Sequence, residues 1–220
     1  METIKINKRK ILALTIAVLI LGFIILTAIV YFLPTTLIDL NISLRIQRYH
    51  NDVLDKIMAF ISWFGTMPWS LITVLVTALL FLLFKHKREA GFILLTLSSG
   101  VLSTVIKLLI NRARPGKDVV RIIEITRQQS FPSGHTLFYT VFFGFLIIIM
   151  GNLKGLPQFI RITVMTISGF MVLTVPFSRI YLGAHWFTDV LAGAILGILS
   201  LFVLGYYYLP KKNEQRLPDE

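Results

Sequence analysis

A chain of 220 residues with 55% hydrophobic and only 15% charged residues is too apolar for an ordinary soluble domain, in which roughly a quarter of the residues are charged. Its 22 Lys and Arg against 11 Asp and Glu give a net charge of +11, and the absence of cysteine excludes disulfides. In a soluble protein this basic excess would suggest nucleic acid. In a membrane protein it marks cytoplasmic loops instead, so we expect no nucleic-acid partner.

Six apolar runs predict six membrane-spanning helices, because a span needs about 20 mostly apolar residues. The first run is too long for the core of a signal peptide, so we expect it to remain as a span. The runs cover residues 11–33, 69–84, 90–110, 136–150, 160–177 and 187–209. We therefore predict an all-α integral membrane protein with one six-helix domain over residues 11–209, a basic N-terminus at 1–10 and a tail at 210–220.

The basic residues of short loops predict the orientation. Threading six spans places several cations on one side, although the excess over the other side is small. Because cytoplasmic loops are enriched in Lys and Arg, we expect both termini in the cytoplasm and the loop 111–133 at the outer face. The cations on the predicted inner side are Lys5, Lys8, Arg9, Lys10, Lys85, Lys87, Arg88, Lys154, Arg161, Lys211, Lys212 and Arg216.

Residues 37–64 mix apolar and charged side chains and are not predicted to span. The second half has helical spacing and is typical of an amphipathic helix lying at the outer membrane interface. The first half alternates apolar residues more like a strand. The alternating residues are Leu40, Ile42, Leu44 and Ile46.

A basic cluster follows the third predicted span. Lys107 lies near the end of that span, and Arg112 and Arg114 follow it directly. Pro115 disfavours helical geometry at Arg114, so we expect the helix to end there. Such a cluster suits an oxyanion, because Arg offers forked hydrogen bonds and Lys a point charge. Basic residues beside a membrane also contact lipid headgroups, and the cluster alone does not decide between these interpretations.

The tetrapeptide Pro132-Ser133-Gly134-His135 directly precedes the fourth span. Ser133 is a favourable N-cap, and Gly134 allows a ligand to approach the backbone closely. The free N–H groups of a first helical turn form an anion site, with His135 beside it. An ordinary capped helix with an interfacial histidine explains the same residues equally well.

A third element, Ser178-Arg179 followed by His185 and Asp189, lies at the start of the last span. His185 and Asp189 are four residues apart, so on a helix they would share a face. A carboxylate there would fix the imidazole tautomer and support its positive charge. The alternative is a buried His–Asp hydrogen bond without a reaction.

Together these elements resemble the signature of the type 2 phosphatidic acid phosphatase superfamily. The matching positions are Lys107 with Arg114-Pro115, the tetrapeptide 132–135, and Ser178-Arg179 with His185 and Asp189. The resemblance extends over nearly the whole chain and includes the six-span layout. Within the superfamily, the compact size is similar to that of bacterial phosphatidylglycerophosphatases of the B type.

The resemblance implies a phosphotransfer that needs no metal and no cofactor. His185 would be the nucleophile, Asp189 would orient it, and His135 would protonate the leaving oxygen and later activate water. The scattered acids offer no metal cage, in agreement with that chemistry. The groups implied to hold the phosphoryl oxygens are Lys107, Arg114, Arg179 and the N–H groups of Ser133 and Gly134.

The expected substrate is a membrane lipid with a phosphate head. Phosphatidylglycerol phosphate is the first choice, and undecaprenyl diphosphate and phosphatidic acid are alternatives, because the motifs contact only the phosphate. We expect no required protein partner beyond the lipid bilayer. A vanadium haloperoxidase, a transporter and an inactive lipid-binding relative are further alternatives; six spans, the lack of repeated halves and the intact histidines argue against each in turn.

Overall fold

The computed structural model describes residues 8–126 and 128–210, and all regular structure in those residues is helical. The predicted all-α architecture is therefore confirmed. The predicted tail at 210–220 and most of the N-terminal segment lie outside the described residues, and α1 already begins at Lys8. The described helices are α1 Lys8–Phe32, α2 Leu37–Gln47, α3 Asp52–Trp63, α4 Trp69–Leu83, α5 Lys87–Leu95, α6 Ser98–Ile110, α7 Gly134–Asn152, α8 Gln158–Tyr181 and α9 Phe187–Tyr208.

Five helical segments of the described chain are long and apolar enough to cross a membrane. They are α1, α7, α8, α9 and the segment Lys87–Ile110, which contains α5 and α6 in succession. The sixth predicted span corresponds to α4, which is apolar but has only 15 residues. At 1.5 Å per residue such a helix is about 22 Å long, shorter than a hydrocarbon core of about 30 Å.

Helix α7 is the centre of the bundle. It packs against α8 and α9, and also contacts α5 and α6. Most of its side chains are buried, including Tyr139, Phe142 and Phe145. Helix α1 packs on α9 and leaves most of its apolar surface exposed, as a helix facing lipid does. The central position of α7 fixes its first turn, which carries the tetrapeptide 132–135.

The prediction of strand-like structure before residue 48 is wrong, because this segment is the helix α2. A capping box begins it: the Asp39 N–H donates to Thr36 Oγ1 over 3.1 Å, and the Thr36 N–H donates back to the Asp39 carboxylate. The buried face is polar and repeats every four residues through Asp39, Ser43 and Gln47. Leu40, Ile42 and Ile46 are only half-buried and Leu44 is exposed, so the alternation of these apolar residues does not mark the buried face of α2.

Helix α3 confirms the helical prediction for the second half of this segment. Its N-cap Asn51 accepts a hydrogen bond of 2.8 Å from the Leu54 N–H. Its buried residues include Ile61 and Ser62, and it packs mainly on α8. The two short helices therefore cover the end of the bundle at which α8 terminates.

Helix α6 ends four residues earlier than the sequence predicted. Its last residue is Ile110, and Asn111 takes a left-handed conformation with φ 47° and ψ 41°. Asparagine tolerates this conformation better than most residues and is a frequent helix terminator. Asn111, rather than Pro115, thus ends the helix. Lys107 remains in the last turn, while Arg112 and Arg114 belong to the loop 111–133 between α6 and α7.

Candidate active site

The three sequence motifs meet at one end of the bundle. That end contains the last turns of α6 and α8 and the first turns of α7 and α9, together with the loop 111–133 and the turn between α8 and α9. The predicted site residues lie on these elements and are Lys107, Arg114, Ser133, Gly134, His135, Arg179, His185 and Asp189.

The His185 imidazole lies between a carboxylate and a guanidinium. Its Nδ1 is 3.5 Å from Asp189 Oδ2, and its Nε2 is 3.2 Å from Arg114 Nη1. A guanidinium only donates hydrogen bonds, so Nε2 must be the acceptor. The neutral ring therefore carries its proton on Nδ1, facing Asp189, and its lone pair on Nε2.

His185 and Asp189 are in contact as predicted. The prediction that they share one face of a helix, however, is wrong. Helix α9 begins at Phe187, so His185 precedes the helix and the two residues share no helical face. Asp189 lies in the first turn, and its carboxylate folds back to accept the Trp186 N–H over 2.9 Å. The helix N-terminus, rather than helical periodicity, thus brings the carboxylate to the histidine.

A buried hydrogen-bond network holds the Asp189 carboxylate in place. The Ser130 hydroxyl donates to Oδ2 over 2.5 Å, and Arg112 Nη1 donates to Oδ1 over 2.5 Å. Arg112 also donates through Nη2 to Asp39 Oδ2 over 2.7 Å, so one guanidinium joins two carboxylates. The Arg112 side chain is 1% exposed and both carboxylates are 0% exposed.

The turn that carries His185 depends on Gly183. This residue has φ +67°, and a Cβ built on it would lie 2.2 Å from the Arg121 carbonyl oxygen. A side chain would therefore meet both an unfavourable backbone conformation and a collision with the loop 111–133. The N–H groups of Ala184 and His185 then donate to the Arg179 carbonyl, which anchors the turn on α8.

His135 faces the linker between α3 and α4. Its Nε2 lies 3.2 Å from Thr66 Oγ1. A Cβ on neighbouring Gly65 would lie 2.4 Å from the His135 ring and 2.7 Å from Tyr139. Gly65 therefore allows the linker to pack directly on the imidazole, and Thr66 is a site residue that sequence reasoning missed.

The cations of the site contact protein oxygens in this structure. Lys107 Nζ donates to the Gln129 carbonyl over 2.5 Å. Arg114 donates to the carbonyls of Gln128 and Ala184 as well as to that of Gln129. Arg179 is paired with Glu124. The three groups are thus oriented by acceptors that an oxyanion could replace.

The tetrapeptide 132–135 forms the start of α7 as predicted, with one correction. Ser133 is the N-cap, and its Oγ accepts the Thr136 N–H over 3.4 Å. Its own N–H, however, donates to the Asp189 carbonyl over 2.9 Å and is not available to an anion. No hydrogen bond within the described residues uses the N–H groups of Gly134 and His135, so these two remain for a ligand.

Close packing explains the glycines around this turn. A Cβ on Gly134 would lie 3.0 Å from Ser103 Oγ, and a Cβ on Gly193 would lie 2.6 Å from the Ser133 carbonyl oxygen. One turn further, a Cβ on Gly197 would lie 2.5 Å from Thr140. Gly193 and Gly197 therefore allow α9 to pack closely on α7.

The electrostatics of the turn favour a neutral imidazole at His185. Burial lowers its pKa well below the usual value, and the charges of Arg114 and Arg179 act in the same direction. Burial and then the charge of Arg179 lower the pKa of Arg114 to about 10, so that guanidinium remains charged at neutral pH. At neutral pH, His185 Nε2 is therefore unprotonated, and its electron pair accepts the hydrogen bond from the charged Arg114 guanidinium.

Several residues of the site had no clear signal in the sequence. Arg112 was noted as a cation of the cluster, but its pairing with two buried acids was not expected. Asp39 could have been noticed as an acid directly after a long apolar run. Within the described residues, no group of three or more His, Asp or Glu is arranged to hold a metal ion.

Comparisons with known proteins agree with the motifs. A family model of the PAP2 superfamily matches residues 88–214. Phosphatidylglycerophosphatase B of Bacillus subtilis is 31% identical, with 84% of this chain and 91% of that protein covered. Undecaprenyl-diphosphatase of Sulfolobus acidocaldarius is also 31% identical, with 73% and 74% covered. The crystal structure of the transmembrane PAP2-type phosphatidylglycerolphosphate phosphatase of Bacillus subtilis superimposes with a TM-score of 0.74 at 27% identity, covering 87% of this chain and 94% of that one.

Proposed function

Because the chain belongs to the PAP2 superfamily of lipid phosphatases, we propose that it hydrolyses the phosphomonoester of phosphatidylglycerol phosphate through a phosphohistidine intermediate. The observation that carries the proposal is the geometry of His185. Its Nε2 accepts from Arg114, its Nδ1 faces a carboxylate held by Ser130 and Arg112, and the free first-turn N–H groups of α7 belong to the same site.

In the first step, His185 Nε2 attacks phosphorus and the bond from phosphorus to the lipid oxygen breaks. His135 gives that oxygen a proton, so the lipid leaves as an alcohol. As His185 becomes positively charged, the Asp189 carboxylate stabilises the Nδ1–H side of the ring. In the second step, His135 removes a proton from water, and the water oxygen attacks phosphorus. The bond between phosphorus and His185 Nε2 breaks, which restores the neutral imidazole and releases inorganic phosphate.

Three cations and two N–H groups are proposed to hold the transferring phosphoryl group. Lys107, Arg114 and Arg179 would exchange their present partners for phosphoryl oxygens, and the N–H groups of Gly134 and His135 would complete the cradle. Charge spreads over these oxygens in the transition state, so preorganised donors lower the barrier. Ser133 contributes as the N-cap that fixes the turn.

The choice of lipid is a further part of the proposal. Two relatives of equal identity carry the names of a phosphatidylglycerophosphatase and an undecaprenyl-diphosphatase. The alignment with the phosphatidylglycerophosphatase covers more of both proteins than the alignment with the undecaprenyl-diphosphatase, and this supports phosphatidylglycerol phosphate as the substrate. Undecaprenyl diphosphate is the second candidate and phosphatidic acid the third.

Phosphate release by purified protein from these three lipids tests the function. We expect the highest kcat/KM with phosphatidylglycerol phosphate and no release by the matched His185→Ala protein. A higher kcat/KM with undecaprenyl diphosphate would reassign the substrate. Release from none of the lipids would contradict the phosphatase function itself.

We also propose a sixth span and an outward-facing site. Helix α4 starts near the site and ends at Leu83, just before Lys85 at the opposite end of the bundle, so it would complete a six-span arrangement. The connections at that opposite end carry Lys85 and Lys154, as cytoplasmic loops do. Helix α2 exposes Leu37, Ile38 and Leu44, which suits contact with the outer membrane interface.

Labelling of single cysteines tests this topology, and the chain has no cysteine of its own. Lys117 in the loop 111–133 and Lys154 between α7 and α8 are both exposed. In intact cells, an impermeant thiol reagent should label Lys117→Cys and leave Lys154→Cys unlabelled. Both should react after the membrane is opened. Labelling of position 154 alone in intact cells would reverse the orientation.

Hydrolysis is expected to continue in the presence of a chelator, because cations of the chain would supply the charge that a metal supplies elsewhere. Phosphate release should be measured with and without EDTA and again after magnesium is added. Turnover that EDTA abolishes and magnesium restores would contradict the metal-independent mechanism.

A further inference from the structure

Glu124 forms an ion pair with the guanidinium of Arg179, which the proposed mechanism assigns to the phosphoryl group of the substrate. Its Oε2 accepts from Arg179 Nη1 over 2.6 Å, and its Oε1 accepts from Nη2 over 3.0 Å. This forked pair is the geometry in which arginine also binds phosphate. In the structure, therefore, a carboxylate of the chain takes the place of two oxygens of an anion.

Of the two partners, Arg179 is fixed and Glu124 can move. The Arg179 side chain is 0% exposed, and its Nη1 also donates to Ser62 Oγ. The side chain of Glu124 is 31% exposed. Its backbone lies in the loop 111–133 and is held by an N–H bond of 3.2 Å to the Leu182 carbonyl. Rotation of the Glu124 side chain toward solvent would thus uncover the guanidinium without moving the backbone.

The carboxylate is also an incomplete partner for Arg179. The Nε–H of this arginine is buried and has no hydrogen-bond partner among the described residues. A buried donor without a partner is unfavourable. A phosphoryl group presents one more oxygen than a carboxylate, so it can satisfy a donor that Glu124 leaves unpaired.

We propose that Glu124 is an internal competitor for the phosphate site, which the phosphoryl group of the substrate must displace from Arg179. This inference rests on the proposed function in one respect, namely that Arg179 binds the phosphoryl group. Its consequence is weaker binding of every tetrahedral oxyanion, including the product phosphate. Glu124 therefore sets the affinity of the site and favours release of phosphate after each turnover.

A positioning role for Glu124 makes the opposite prediction. If the carboxylate served to hold Arg179 in a binding geometry, its neutralisation would weaken anion binding. If it competes, its neutralisation strengthens binding, because Arg179 is freed and the net charge of the cation cluster rises. The sign of the change separates the two roles.

The test is calorimetric titration of the purified, detergent-solubilised full chain with inorganic phosphate, which needs no turnover. Glu124→Gln should bind phosphate about five- to tenfold more tightly than wild type, since a partly exposed ion pair contributes an energy of that order. Glu124→Asp keeps the charge but shortens the side chain by one methylene, and it should tighten binding less.

Asp118→Asn is the matched control, because it removes the same charge from an exposed position of the same loop. It should leave phosphate affinity unchanged. Equal or weaker binding by Glu124→Gln, tightening of similar size in Asp118→Asn, or no phosphate binding by any of the proteins would overturn the inference. Failure of the proposed function is distinguishable: wild type would then bind phosphate, and Glu124→Gln would bind it more tightly, but no lipid phosphate would be hydrolysed.

Discussion

Replacement of His185 by alanine is expected to abolish turnover of every substrate, whereas replacement of His135 should impair the reaction in a way that depends on the leaving group. Without His185 no phosphoenzyme can form, so no later step can occur. A lipid alkoxide leaves poorly without a proton, and that proton contributes roughly 10²–10⁴ in rate. An aryl phosphate such as p-nitrophenyl phosphate leaves readily without one.

His135→Ala should therefore show a burst with the aryl ester and then stall, because activation of water is also lost and phosphohistidine accumulates. With phosphatidylglycerol phosphate the same protein should show neither burst nor turnover at a comparable rate. Rapid-quench kinetics on both variants measures this. A burst from His185→Ala together with none from His135→Ala would show that the two roles are exchanged.

Thr66→Val is a control for the environment of His135. Thr66 Oγ1 lies 3.2 Å from His135 Nε2, and valine keeps the shape of the threonine side chain while removing its hydroxyl. This variant should retain the second step and show no stall. A stall in Thr66→Val would mean that the hydroxyl, rather than His135 alone, is needed for the attack of water.

The motif residues could be predicted from the sequence because their chemistry is local. An N-cap serine before a helix, a basic residue in a last helical turn and a histidine near an acid are recognised within a few residues. Ser133 and Lys107 accordingly lie where the sequence placed them, whereas Asp189 reaches His185 from the first turn of α9 and not along a shared helical face. Five of the six predicted spans were predictable for a similar reason, since bilayer thickness sets their length.

The partners of these residues could not be predicted, because they come from distant parts of the chain. Arg112 contacts Asp39, which lies 73 positions away, and Arg179 contacts Glu124 at a separation of 55. Helix α2 was misjudged for the same reason. Its buried face is polar because it covers buried charge, and hydrophobic periodicity assumes that buried faces are apolar. Two residues that pair across a long stretch of sequence form no local pattern, so the sequence around either of them does not indicate the pairing.

The largest effect on stability is expected from Arg112, whose guanidinium lies between two fully buried carboxylates. Arg112→Met keeps much of the side-chain volume but leaves Asp39 and Asp189 without their shared cation. Breaking a buried ion pair by removing one partner costs about 3–5 kcal/mol, because the remaining charge stays out of water. The free energy of unfolding should fall by that amount, and activity should fall with it because Asp189 is no longer held toward His185.

Denaturation of the protein in detergent, followed at increasing denaturant, measures the loss. Arg112→Lys keeps the charge but cannot bridge both carboxylates in a fork, so it should be intermediate. The double variant Asp39→Asn with Arg112→Met removes one of the stranded charges and should recover part of the lost stability. Arg121→Met is the matched control, because the pair of Arg121 and Asp55 is partly exposed and its loss should matter far less. If Arg112→Met unfolds at the same denaturant concentration as Arg121→Met, the buried network does not stabilise the site.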